Sequence, residues 1–473
     1  MKNFNWMAKI AGGIVVMFIA LVNLTLAADS LHQPISAVQT AYEYDGYLNT
    51  TPPLTNPNSL AFADSENPPE TPAAEQPSSE EPEGEPEGFE TGDVTPPEPP
   101  PAWHLPQPIF LQEQRIAMGG WVEQGITGNA RSPIDRYNGA GFHTNDRSAE
   151  YQLNQAWLFF NRPIANDGQG WDWGGRVDVV YGSDWRCANT FGLENRINGA
   201  YQFYGIILPQ FYLDLAYNDL TVRMGHWAPL AGYEVVPAVA NFFYSHEYGM
   251  CSQPLLVTGV EGIYKLTDQL SITAGMNRGW FMFEDNNHTW DAMGGIEWIS
   301  LDKRTDIKFN IDSGPQDTAG DDNRFVYTLV ASHKLTERYT YALEHDWGKE
   351  INGSPYGGNA YWYSLAQYLF YTINPHWSTG LRVEWFRDNN GGRIAGLGNA
   401  PLTRGWTGGP GFVGDFTELT LGVNWRPNAN WVLRPEIRWD WYNGSRDVHG
   451  NLPYADGTRS DQFTFATDLI ATF

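Results

Sequence analysis

The sequence predicts an all-β fold: a transmembrane antiparallel up-and-down β-barrel of about 16 strands, preceded by a disordered Pro/Glu-rich segment. Three observations carry the prediction. Apolar and polar residues alternate with period two along runs of ten to thirteen residues, whereas globular strands average five or six and a tilted bilayer span needs about 9–11. Aromatic residues gather near the ends of these runs, as interfacial girdles require. Long and short connections alternate strictly, which an up-and-down barrel explains and a sandwich does not.

Composition narrows the classes further. The 473 residues carry 29 Lys+Arg against 55 Asp+Glu, a formal net charge of −26. Nucleic acid is excluded as a main partner, because neutralising phosphates needs a basic surface. Aromatics make up 14% of the chain, with 20 Trp, so most of it should fold. One apolar run alone is long enough to cross a bilayer as a helix, which excludes a polytopic helical transporter. Two Cys exclude a structural zinc site built on several cysteines.

The chain opens with Lys2 and Lys9, an apolar stretch from about Ile10 to Leu26, and the small residues Thr25 and Ala27. Residues 1–27 read as a secretory signal peptide, with an uncleaved membrane anchor as the alternative. No Cys follows the cut, so an N-terminal lipoprotein anchor is out. Residues 28–110 are an acidic linker, dominated by Pro and Glu from Thr51 onward, with no Lys or Arg between Asp29 and Gln114. Such a segment buries too little surface to offset its ordering entropy. It reads as a periplasmic spacer with a cell-wall contact as the sharper alternative. Residues 111–473 form the barrel.

The strands are expected near 116–126, 151–162, 171–182, 208–217, 220–227, 255–266, 269–280, 290–300, 304–313, 324–335, 338–347, 359–372, 376–388, 415–426, 430–442 and 461–473. In the third, Trp171, Trp173, Val177, Val179 and Tyr181 share one face, and Asp172, Arg176 and Asp178 share the other. Trp377, Leu381, Val383 and Trp385 likewise oppose Arg382 and Glu384. Tight connections carry turn chemistry at Asn218-Asp219, Thr267-Asp268, Asp302-Lys303, Thr336-Glu337, Asn374-Pro375 and Pro427-Asn428. Pro435 lacks a ladder donor, which predicts a bulge beside it. Most of the Trp read as girdle residues. The last strand places Phe463, Phe465, Leu469 and Phe473 on one face. A terminal Phe on an alternating strand resembles the closing strand of bacterial outer-membrane barrels, where assembly machinery reads that end.

Two blocks, NFFYSHEYG at 241–249 and TGVEGIYKLTDQLSITAGMNRGWFMFEDNN at 258–287, add a resemblance. Tyr244-Ser245, Gly259-Val260, Tyr264, Thr267-Asp268 and the run Asn277-Arg278-Gly279-Trp280 resemble the β-barrel porin family described as OmpL-like. The likeness covers most of 116–473 in layout and this block in detail. It implies passive transport without naming a solute.

A barrel of this size leaves an aqueous lumen. Its polar face is expected to present Asp172, Arg176, Asp178, Asp214, Arg223, Glu297, Lys308, Arg382, Glu384, Glu418, Arg434, Glu436, Arg438 and Asp440. Rings of such charges set selectivity. Acids outnumber bases along the strands, favouring cations, while Arg382, Arg434 and Arg438 offer an anion stripe as the alternative. The third long connection, 228–254, is apolar and rich in small residues. It is expected to fold inward as a constriction with Glu234, His246 and Glu247 at its rim, or else to pack across the mouth. Cys187 and Cys251 lie in two long loops of one face, in an oxidising route, so a disulfide between them is expected, with two unpaired thiols as the alternative.

No G-x-S-x-G, H-E-x-x-H or Walker sequence occurs, so neither an enzyme nor a cofactor nor a metal is expected. The function expected is an outer-membrane porin-like channel for passive diffusion of small hydrophilic solutes or ions. The alternative is a non-conducting structural or surface-binding barrel tied to the envelope through the Pro/Glu arm. Expected partners are outer-membrane lipid, the barrel-assembly machinery through Phe473, a homotrimer and, through the linker, the cell wall.

Overall fold

The computed structural model describes residues 102–139, 144–199, 202–229, 232–395 and 410–473. The segments read from the sequence as a signal peptide (1–27) and as linker up to 101 lie outside the described residues.

Seventeen strand segments follow in chain order: β1 (Ala117–Asn129), β2 (Tyr151–Arg162), β3 (Trp171–Gly182), β4 (Gly205–Ile207), β5 (Phe211–Tyr217), β6 (Leu220–Trp227), β7 (Val257–Lys265), β8 (Leu270–Asn277) and β9 (Asp291–Ile299), then β10 (Thr305–Pro315), β11 (Asn323–Lys334), β12 (Tyr339–Glu350), β13 (Ala360–Asn374), β14 (Trp377–Asp388), β15 (Gly414–Asn428), β16 (Trp431–Gly444) and β17 (Asp461–Thr472). Every pairing between them is antiparallel, and β1 pairs with both β2 and β17, so the sheet closes on itself. β4 lies against Val180–Gly182 and β5 against Trp171–Val177 of the same neighbour, so together they make one stave. The barrel therefore has 16 staves, as the alternation predicts.

Closure leaves no sheet edge, which is the condition for a β-structure to sit in lipid. The alternation sorts the faces. Trp171, Val177, Val179 and Tyr181 stand outward and exposed, while Arg176, Asp178 and Val180 between them are buried within the barrel. Trp290, Trp298, Trp377, Trp425, Trp431 and Trp439 are also exposed, consistent with a lipid-facing girdle. Trp121, Trp157, Trp185, Trp227, Trp280 and Trp362 are not girdle residues; they are buried inside, where loops fill the lumen.

The bulge expected at Pro435 is absent. Pro435 stays in register with Thr467 of β17, and Gly422–Glu436 and Trp425–Leu433 keep one register with β15 across it. Val423 and Asn424 fall in a gap of that ladder, so the missing donor is absorbed by a lapse in pairing, and the register shift comes later, between Trp425 and Asn428.

The seam is tied by the chain end. The Phe473 amide donates to the Gly120 carbonyl at 2.9 Å, and the Gly120 amide donates back to Phe473 at 2.9 Å. Gly120 is required there, since a Cβ would lie 2.8 Å from the Phe473 ring and 2.1 Å from the Trp157 carbonyl. Residues 102–116 run along the turn end of the barrel. Asn430 accepts from the Trp103 amide at 2.6 Å and donates to its carbonyl at 2.7 Å, and Gln107 brackets the Met118 backbone.

Candidate functional site: the lumen and its inserted loop

The third long connection, 228–256 and here called L3, folds into the barrel. Its sequence explains how. Pro237 starts a 3-10 turn at Ala238–Ala240, a second 3-10 turn lies at Gly249–Ser252, and Asn241 folds back to bond both the amide (3.0 Å) and the carbonyl (2.6 Å) of Val235. The remaining backbone is irregular and must find partners once it leaves water. The polar inner wall supplies them. Glu436 accepts from the amides of Tyr244 (2.9 Å) and Ser245 (3.1 Å), and Glu384 accepts from those of Tyr248 (2.6 Å) and Gly249 (2.7 Å). Glu344 of β12 accepts from the Tyr233 amide. In the other direction, Arg434 donates to the carbonyls of Ala238 (3.0 Å) and Asn241 (2.6 Å), Arg382 to Ser245 (2.7 Å), and Arg438 to His246. Wall carboxylates hold L3 amides and wall guanidiniums hold L3 carbonyls.

Apolar packing completes the seat. Phe243 packs with Ala342, Ala366 and Tyr368, flanked by Phe242 and Phe370. Tyr248 packs with Phe386, Phe416 and Tyr454, and its hydroxyl lies 2.8 Å from Asp440 and 2.7 Å from the Tyr454 hydroxyl. These aromatic contacts bind loop and wall by buried area and ring geometry, not by charge.

The predicted lumen residues all lie on the inner face, in three settings. Arg382, Glu384, Glu418, Arg434, Glu436, Arg438 and Asp440 are sealed beneath L3. Arg382 is the hub: it reaches Glu418 (2.6 Å), Glu234 of L3 and Ser245 from a fully buried position. Arg434 binds Asp468 (2.6 Å) and Glu123 (3.0 Å), and Arg438 binds Asp440 (2.8 Å). Away from L3, Arg176 pairs with Asp178 (2.7 Å), Arg223 grips Asp214 through two 2.9 Å bonds, and Lys308 lies between Glu297 (3.1 Å) and Asp306 (3.3 Å). Asp172 sits near the turn end, where it accepts from Arg115 (2.7 Å) and Arg162 (3.2 Å).

The rim residues expected on L3 are seated, not solvated. Glu234, His246 and Glu247 are all buried. Burial pushes the Glu234 carboxyl up, but the Arg382 guanidinium and His246 outweigh it and hold the group down at about 2. Glu247 goes the other way. Burial raises it well above the ordinary carboxyl value, and the neighbouring Glu344, Glu384, Glu234 and Asp346 raise it further. One oxygen of Glu247 accepts from the Tyr368 hydroxyl at 2.8 Å; the other has no hydrogen-bond partner.

Glu123, Glu344, Asp346 and Asp468 also hold the loop or its arginines, and the prediction omits them. Their signal was available: each alternates with outward apolar residues, as Glu344 and Asp346 do with Leu343 and Trp347. Trp362 and Tyr368 were not legible, because β13 carries aromatics on both faces. Cys187 is buried in a cluster with Met250 and Leu255, which flank Cys251. The Cys251 side chain, and with it the expected pairing, lies outside the described residues. Among the described residues, Asp317, Asp321 and Asp322 form a group of carboxylates on the β10–β11 loop. The Asp317 oxygens accept from the amides of Ala319, Asp321 and Asp322 (2.8–3.1 Å), which accounts for them as loop-forming residues.

Among solved structures, similar folds include the outer membrane channel DcaP of Acinetobacter baumannii (12% identity, 76% of this chain and 97% of that one, TM-score 0.49). An anion-selective porin from Comamonas acidovorans (11%, 76% and 99%, 0.49) and OprB of Pseudomonas putida (13%, 77% and 96%, 0.48) are similar to the same extent. No curated relative matches the chain. A family model described as "Putative beta-barrel porin-2, OmpL-like" matches residues 115–473. With the closed 16-stave barrel and the inserted loop, that match over most of the chain places the protein in the OmpL-like β-barrel porin family.

Proposed function

We propose that the protein is an outer-membrane channel through which small hydrophilic solutes or ions diffuse passively. One observation carries the reading: part of the inner wall stays polar and open to water although L3 fills the rest. The inward residues Ser271, Thr273, Met293, Glu297, Asp306 and Asn310 of β8–β10 remain partly exposed, while those from Gly380 to Asp388, Gly414 to Asn424, Val432 to Tyr442 and Gln462 to Ile470 on β14–β17 are buried. A barrel serving only as an anchor has no need of a wet strip along one wall. In this reading the termini lie on the periplasmic side, the Pro/Glu arm spans the periplasm, and Phe473 presents the assembly signal. A homotrimer and a Cys187–Cys251 disulfide belong to the same proposal.

The buried L3 seat favours a second reading, a closed barrel anchored through its arm. Single-channel recording decides between them. The folded protein, checked by heat-modifiable migration, is inserted in a planar bilayer under a salt gradient. Discrete, stable steps are the expected outcome. A folded, inserted protein that stays silent rejects the channel and leaves the anchor.

A further inference from the structure

L3 divides the lumen unequally. On β14, β15, β16 and β17 the inward positions from Gly380 to Asp388, Gly414 to Asn424, Val432 to Tyr442 and Gln462 to Ile470 are buried at every alternate residue. On β8, β9 and β10 the inward positions Ser271, Thr273, Gly275, Met293, Gly295, Glu297, Asp306 and Asn310 are not. The register places these in one band, since Gly275 faces Met293 and Gly295 faces Asn310 across adjacent strands. A cavity lies along this band, bounded by Pro229 and Pro254 at the two ends of L3 and by Thr273, Met293, Asn310 and Thr328 on the wall.

We infer that the conducting path is eccentric: it runs between the ends of L3 and the β8–β10 wall, and the buried arginines take no part in selecting the solute. This rests on the channel reading above. The chemistry of the path follows from its lining. Its waist is made of small residues, Thr273, Gly275, Gly295 and Asn310, with Met293 the largest apolar group, and the carboxylates of Glu261 and Asp312 also line the cavity there. Below it, toward the β9–β10 turn, stand Glu297 and Asp306, whose side chains keep 19% and 21% of their exposure, around Lys308 at 8%. Two carboxylates against one ammonium leave this end negative. Small cations and uncharged polar solutes suit such a path, and anions do not. The arginines cannot offset this field at close range, because Arg382, Arg434 and Arg438 are each spent on buried carboxylates and L3 carbonyls.

Cysteine accessibility under single-channel recording tests the inference. Thr273→Cys and Asn310→Cys place a thiol on the proposed path, and Thr420→Cys places one on the sealed side, where Thr420 is fully buried. Each variant is treated with a charged methanethiosulfonate, read against the unsubstituted protein given the same reagent. Conductance should fall to about half or less for the 273 and 310 variants and stay unchanged for the 420 variant. The double variant Glu297→Gln, Asp306→Asn should move the reversal potential toward anions. In a conducting parent, block at 420, or no block at both 273 and 310, overturns the eccentric path and leaves the channel standing. A parent that folds, inserts and does not conduct overturns the channel itself.

Discussion

Arg382 shows how much of this lumen is structural chemistry. Its guanidinium is fully buried and binds Glu418, Glu234, Thr420 and both oxygens of Ser245. Removing one partner from a buried ion pair costs about 3–5 kcal/mol, because the charge left behind has no solvent to turn to. Arg382→Ala should therefore destabilise the folded protein by that order, seen as an earlier loss of heat-modifiable migration on heating in detergent. Arg382→Lys should recover only part of it, since an ammonium cannot span two carboxylates and the Ser245 carbonyl with a planar fork. A variant as stable as the parent would show that L3 is not held by this residue. The residue's place on the inner face was legible from its alternation with Leu381 and Val383. Its burial was not, because that comes from Glu234 and Ser245, which are 148 and 137 positions away in the chain.

At the scale of the element, L3 is held by two carboxyls with opposite acid–base behaviour. Glu234 lies at about 2, so its contribution survives above the unfolded value of 4.5 and is lost only as pH falls toward 2. Glu247 is raised, so the folded loop binds a proton that the unfolded chain gives up. Its contribution is full below 4.5 and is lost as pH rises through its folded value. The groups facing it are Glu344 and Asp346 on β12, Tyr368 on β13, Glu384 on β14 and Glu234 in the loop itself. Stability should accordingly decline as pH rises above 4.5 and through the raised folded value of Glu247, and Glu247→Gln, which keeps an acceptor for Tyr368 and removes the charge, should reduce the accompanying fall in melting temperature by roughly 2 °C or more. Parallel pH profiles of parent and variant would reject this account of the seat. That the loop packs against other parts of the barrel was readable from its apolar, small-residue composition, but entry into the lumen and packing across the mouth were equally compatible with it. Which sector of the wall receives it was not, because the matching partners, Glu344, Glu384 and Glu436, are indistinguishable in sequence from any other inward acid.

For the whole molecule, the decisive event is closure of β1 on β17. Phe473 supplies both hydrogen bonds beyond the last paired strand residue and lays its ring on Gly120. Deleting Phe473 removes two bonds worth about 1 kcal/mol each and the ring contact, a modest loss for a barrel of this size. If the residue also addresses the assembly machinery, the deletion should lower the folded fraction recovered from membranes far more than the fraction refolded in detergent. Equal losses in both settings would assign Phe473 to stability alone.

The sequence by itself determined the barrel, its 16 staves, the faces of its strands and the tight turns, since all of these follow from a period of two residues and from local turn chemistry. It also singled out the 228–254 connection as a packed loop and the charged residues of the inner face. The tertiary structure decided what those residues do. It put half of the expected pore charges under L3, buried six tryptophans in the interior, and left a strip on β8–β10 partly exposed. The reason is range. Alternation is written in neighbouring residues, whereas the fit of one loop against the wall depends on complementary groups a hundred or more residues apart, and no local pattern records which of them will meet.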